Sequence, residues 1–151
     1  MKQKEDSQVD LKVQPSTKGT EELTRGVRIF RIAFACLATI FAVCIIVQIF
    51  IAGLAVFVSP VNWMRHRMFA HLFNALPLIM LILSFVGRLP RKISWKSFGL
   101  FVLMYTMYIT ANITVILPFA AAVHPLIAML LFWVSISIVM KAWSLAIKRI
   151  R

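Results

Sequence analysis

Four long apolar runs, each bounded by charge or proline, set the pattern of this chain. They cover about residues 32–58, 60–86, 97–117 and 124–147, and none of them contains an acidic residue. An α-helix rises about 1.5 Å per residue, so about 20 residues cross the ~30 Å hydrocarbon layer of a bilayer. Each run is long enough to do so, and together they predict four membrane-spanning helices. Residues 1–27 differ: they mix Lys, Glu, Asp, Ser, Thr and Gln. That stretch is too polar to bury a core and reads as a disordered cytoplasmic tail. The first apolar run is too long for the core of a signal peptide and lacks a small-residue cleavage site. Residues 28–151 thus form one membrane domain.

The punctuation gives the boundaries. Ser59-Pro60 reads as an N-cap followed by proline at the first position of the second helix. Pro77 predicts a kink within that helix, which neighbouring helices tolerate in lipid. Gly87-Arg88-Leu89-Pro90-Arg91-Lys92 is a basic turn, and Pro118 with three alanines is a short link. His124 precedes Pro125, which places it at the N-cap of the fourth helix. Short links favour an up-down bundle in which consecutive helices are neighbours and the second and fourth lie on a diagonal.

Composition agrees and removes several functions. The chain is 61% hydrophobic and 15% charged, with a net charge of +12. All five acids precede residue 23. The membrane part therefore has no carboxylate base, no acid pair and no acidic proton relay. The basic residues sit at the ends of apolar runs rather than on one soluble face, which argues for anionic lipid and against nucleic acid. Seven Lys or Arg precede the first span, four lie between the second and third, and four close the chain, whereas Arg65 and Arg67 stand alone on the other side. This bias places both the N-terminus and the C-terminus in the cytoplasm. Cys36 and Cys44, about 12 Å apart along one helix, are too distant for a disulfide and read as small packing residues.

Polar side chains inside the spans carry the candidate chemistry. Gln48 lies 17 residues from Arg31, His71 17 from Arg88, Asn112 16 from Lys96 and His124 17 from Lys141. All four fall about 25 Å from the inner edge, one per helix at one depth. His71 and His124, on diagonal helices, are placed to ligate a haem iron from opposite sides. His66 is the alternative partner for His124. It points about 140° away from His71 on a straight helix, so the two cannot share one atom. Arg67 and Asn74 lie near the same face, and Arg67 is suited to a haem propionate. The blander reading is that Gln48, Asn112 and the histidines are hydrogen-bonding glue between helices, and that the aromatics are packing residues.

Two resemblances sharpen these expectations. Asn62-Trp63, His66, His71-Leu72-Phe73, Gly87-Arg88-Leu89-Pro90, His124-Pro125 and Phe132-Trp133 resemble a family of small, uncharacterised four-span bacterial membrane proteins over about residues 26–147. That resemblance implies a topology and a bacterial plasma membrane, but no activity. His66-Arg67 is also similar to the His-Arg pair of a four-helix half of haem A synthase, which carries ligands on its second and fourth helices. The glutamate of that signature is replaced here by Trp63, so the resemblance implies haem binding through His66 rather than haem A synthesis.

The expectation is an all-α, integral membrane four-helix up-down bundle holding a b-type haem for electron transfer with a redox partner or quinone. The alternative is a non-catalytic membrane subunit or small-ligand binder. Channel or transporter function has less support, because the spans lack coupling acids and internal repeats; a pore built by a homo-oligomer stays open.

Overall fold

The computed structural model describes residues 17–113 and 116–147. It is helical, with no strand among the described residues. Residues 1–16 of the tail, Thr114, and the terminal anchors Lys148, Arg149 and Arg151 lie outside them. The helices are α1 (Thr17–Phe57), α2 (Asn62–Phe73), α3 (Leu76–Val86), α4 (Arg91–Asn112) and α5 (Pro118–Ile147). Three helical stretches are long and apolar enough to cross a membrane: Arg25–Phe57, Asn62–Val86 (α2 with α3) and Ala122–Ile147. α4, which holds most of the third predicted span, is 22 residues long and carries Lys96, Tyr105, Thr106, Tyr108, Thr110 and Asn112.

Several boundaries move, each for a local reason. α1 begins at Thr17, so residues 17–27 of the expected tail are helical. α2 starts at Asn62 rather than at Pro60, because residues 59–61 form a turn. Asn62 is buried and donates Nδ2 to the carbonyls of Leu54 (3.3 Å) and Ser59 (3.1 Å). The kink expected at Pro77 is a two-residue turn at Asn74–Ala75, both still in right-handed helical conformation, with Pro77 in the first turn of α3. Proline has no N–H to give and its ring crowds the carbonyl of the fourth residue before it, so the ladder ends upstream of the proline itself. α4 opens at Arg91 because Pro90, with φ −55° and ψ 140°, sets an extended N-cap. α5 opens at Pro118, not at His124. His124 is therefore inside α5 rather than at its N-cap, and Pro125 is a helix-interior proline.

α1 packs against α5 on one side and against α2 and α3 on the other, while α4 packs between α3 and α5. The α2–α3 rod and α5 thus face each other across the bundle. Phe34, Ala38, Phe41 and Ile45 form the buried stripe of α1 at helical spacing, and Leu131, Ile138, Ala142 and Ala146 form that of α5. Lipid is as apolar as leucine, so this stripe holds through van der Waals fit rather than through exclusion of water. Ala35 and Ala38, both fully buried, let a neighbouring helix approach closely. Thr39 donates its hydroxyl to Ala35 O (2.9 Å) and accepts the indole N–H of Trp143 from α5 (3.0 Å). Cys36 and Cys44 are both free thiols.

Candidate functional site

One cavity of about 600 Å³ opens among α1, α2, α4 and α5, and it gathers most of the polar positions predicted from spacing. Gln48, His66, Arg67, His71, Asn112 and His124 all line it. Asn74 does not. It is the C-cap of α2, at the turn before α3. Ile45, Ile49, Met104 and Leu131 supply apolar walls.

Each histidine is held differently. His66 and Gln48 form a reciprocal pair that latches α2 to α1. Gln48 Nε2 donates to His66 O at 2.8 Å, and His66 Nδ1 lies 3.2 Å from Gln48 O. A carbonyl only accepts, so His66 Nδ1 carries the proton and the neutral ring keeps its lone pair on Nε2. Trp63 packs edge-on against the same ring, with centroids 5.6 Å apart. Gln48 Oε1 is buried with no hydrogen-bond partner.

His124 Nδ1 lies 3.1 Å from Thr110 Oγ1, which ties α5 to α4. The single hydroxyl hydrogen of Thr110 goes to Met107 O at 3.0 Å, so Thr110 receives the imidazole N–H. With the Thr110 hydrogen on Met107 O, the lone-pair nitrogen of His124 is Nε2, as in His66. Metal-binding histidines show this arrangement: one ring N–H given to an oxygen orients the ring and fixes which nitrogen is basic.

His71 is the third imidazole. It packs edge-on against Tyr108 of α4, with centroids 5.5 Å apart. Asn112 donates Nδ2 into its own helix at Tyr108 O (2.8 Å), so it borders the cavity without bridging helices. The two arginines divide. Arg65 Nη1 donates to Asn62 Oδ1 at 2.8 Å, while Arg67 lines the cavity with no hydrogen bond or ion pair among the described residues. No acid follows Glu22 in the chain that could neutralise it.

Residues 48–115 match DUF6220, a family of unknown function. The match contains Gln48, His66, Arg67, His71, Thr110 and Asn112 and stops short of His124. DUF6220 brings no activity to the site. No curated protein and no solved structure matches the chain.

Thr110 is the residue that spacing did not single out. One polar residue per helix at matched depth picked Asn112, whereas the side chain that reaches the next helix is the one two positions before it. The available signal was the Thr106, Thr110 spacing of one helical turn, which lines hydroxyls along a single face.

Proposed function

We propose that this is a multi-pass membrane protein in which His66 and His124 would hold a b-type haem in the four-helix cavity, for electron exchange with a redox partner or quinone. The observation that carries this reading is the placement of two histidines on facing helices at one cavity, each with Nδ1 within 3.1–3.2 Å of an oxygen and Nε2 uncommitted. The donor set fits the group. Neutral imidazoles are the usual haem axial ligands. The cavity volume falls within the ~300–1,000 Å³ of small-molecule and cofactor sites. Arg67 offers an unpaired cation for a propionate, and Gln48 Oε1 offers an unused acceptor. His66 is favoured over His71 as the partner of His124, since Gln48 already orients it. His71, Tyr108 and Asn112 line the same cavity. When bound, haem supplies one-electron chemistry at iron, which the side chains alone cannot. The residues orient the ligands, exclude water through apolar walls and balance charge through Arg67.

The same reading takes α4 as a fourth span and puts both termini in the cytoplasm of a bacterial plasma membrane. It rests on the bias of Lys and Arg, with only Arg65 and Arg67 on the cavity side. The likeness to a haem A synthase half rests on the His66-Arg67 pair alone, and with Trp63 where the acid would be it would fit haem without its oxidation.

A second reading is favoured by the same bonds. Gln48–His66 joins α1 to α2 and Thr110–His124 joins α4 to α5, so the polar layer can serve helix association alone in a non-catalytic subunit or small-ligand binder. An oxidised-minus-reduced absorption spectrum of the chain, purified in detergent after expression with ample haem precursor, separates the two. Haem binding gives a Soret band and sharp α and β bands that vanish in both His124→Ala and His66→Ala. A featureless wild-type spectrum would retire the haem reading in favour of the second.

A further inference from the structure

The turn between α3 and α4 builds a second cavity, far along the α3 rod from the histidines. It holds about 510 Å³ and is lined by Leu81, Phe85, Trp95 and Phe98 together with Arg91. Trp95 and Phe98 meet edge to face at 5.9 Å, and both are exposed on the outer surface of the bundle. The turn above the trough is rigid. Arg31 of α1 donates Nε to Gly87 O (3.1 Å) and Nη2 to Arg88 O (3.2 Å). Arg88 itself adopts φ 47°, with its N–H held by Phe85 O at 3.0 Å and the next N–H by Ser84 O at 3.0 Å. Arg31 is thus occupied by backbone carbonyls. Arg88, Arg91 and Lys92 are exposed and make no ion pair among the described residues.

We infer that this trough is a binding site for one anionic phospholipid, with its phosphate on Arg91 and an acyl chain lying along Leu81, Phe85, Trp95 and Phe98. Charge complementarity selects the occupant. Arg91 is the cation of the lining, Arg88 and Lys92 are its neighbours in the same basic turn, and no acid follows Glu22 to neutralise them, while the floor is aromatic and aliphatic. A soluble anion leaves the floor uncovered, and a zwitterionic lipid brings a headgroup cation of its own to the basic turn. The position agrees: the trough begins at Leu81, one turn before the apolar stretch ends at Val86, where acyl chains give way to headgroups. Tryptophan is enriched at that level. This inference is independent of the haem reading and shares no residue with it.

Native mass spectrometry of the full chain in detergent tests it, with phosphatidylglycerol and phosphatidylcholine of identical acyl chains as probes. One basic residue near a lipid surface changes anionic lipid affinity by about fivefold. Phosphatidylglycerol adducts are expected to exceed phosphatidylcholine adducts by at least that factor. Arg91→Gln should lower them about fivefold, Arg91→Lys should restore most of the loss, and Lys141→Gln on α5 should leave them unchanged. Equal adducts of the two lipids, or equal losses in Arg91→Gln and Lys141→Gln, would overturn a local site in favour of diffuse attraction. The acyl chain is read separately in a chain whose Trp63, Trp133 and Trp143 are replaced by phenylalanine. Lipid brominated in its acyl chains should quench Trp95 more on phosphatidylglycerol than on phosphatidylcholine, and equal quenching would remove the trough from the site.

Discussion

Replacing Gln48 with methionine sets two effects of opposite sign against each other. The substitution deletes the 2.8 Å bond from Nε2 to His66 O. Side-chain hydrogen bonds between helices in membranes average about 0.6 kcal/mol and reach about 1.7. It also deletes Oε1, which is buried without a partner and carries a desolvation penalty of about 1–3 kcal/mol. Methionine has the same unbranched reach, so no void opens. His66 lies inside α2, where its carbonyl still serves the helix ladder. Its Nδ1 keeps the bond to Gln48 O, because that acceptor is backbone. Relief outweighs loss. The ligand-free protein should therefore gain about 1 kcal/mol, close to a fivefold rise in the folded-to-unfolded ratio. Reversible unfolding in mixed detergent–SDS micelles measures it directly. A loss of 1 kcal/mol or more would refute the reasoning, since the amide oxygen would then have to be satisfied in the folded protein.

Three further substitutions probe the site, the core and the turn. Thr110→Val removes the acceptor that orients His124; if haem binds, its affinity should fall at least about tenfold, as for other residues that orient metal ligands, and a haemin titration followed at the Soret band reads it, an unchanged affinity counting against Thr110 as an orienting residue. Phe41→Ala empties a fully buried position and ends the 5.8 Å edge contact with Phe73, so SDS unfolding should show a loss of about 3–5 kcal/mol. Gly87→Ala puts a Cβ 3.0 Å from Leu83 O, beside Phe30, and should cost about 1 kcal/mol of stability in the same assay, whereas alanine at Gly53, which meets nothing within 4 Å, should not destabilise.

Much of the bundle can be read from where charge interrupts apolar sequence. The α1 end near Phe57, the basic turn before α4 and the joining of Gln48, His71, Asn112 and His124 around one cavity all follow from counting residues between anchors. Counting works because a straight helix converts sequence distance into depth with one constant. It fails where proline acts at a distance. Pro77 interrupts the helix before itself, and Pro118 starts α5 early enough to carry His124 into the helix interior. Counting is also blind to rotation about the helix axis. Depth favoured Asn112 over Thr110, two residues nearer the anchor. Packing turns Thr110 toward His124 and brings Arg67, chosen for its helical face, to the cavity, while Asn112 bonds to its own helix and Arg65 to Asn62.

The turn at Asn74–Ala75 splits one rod into two parts with different neighbours. α3 is wedged between α1 and α4, whereas the principal packing of α2 is against α1 alone. The twelve residues of α2 thus form a short wall of the cavity, fastened to α1 by the Gln48–His66 pair and by Phe73 against Phe41, and touching α4 through His71 and Tyr108. That wall is much shorter than the helices it stands between, and the bonds that hold it to α1 are the same pair that orients one of its histidines.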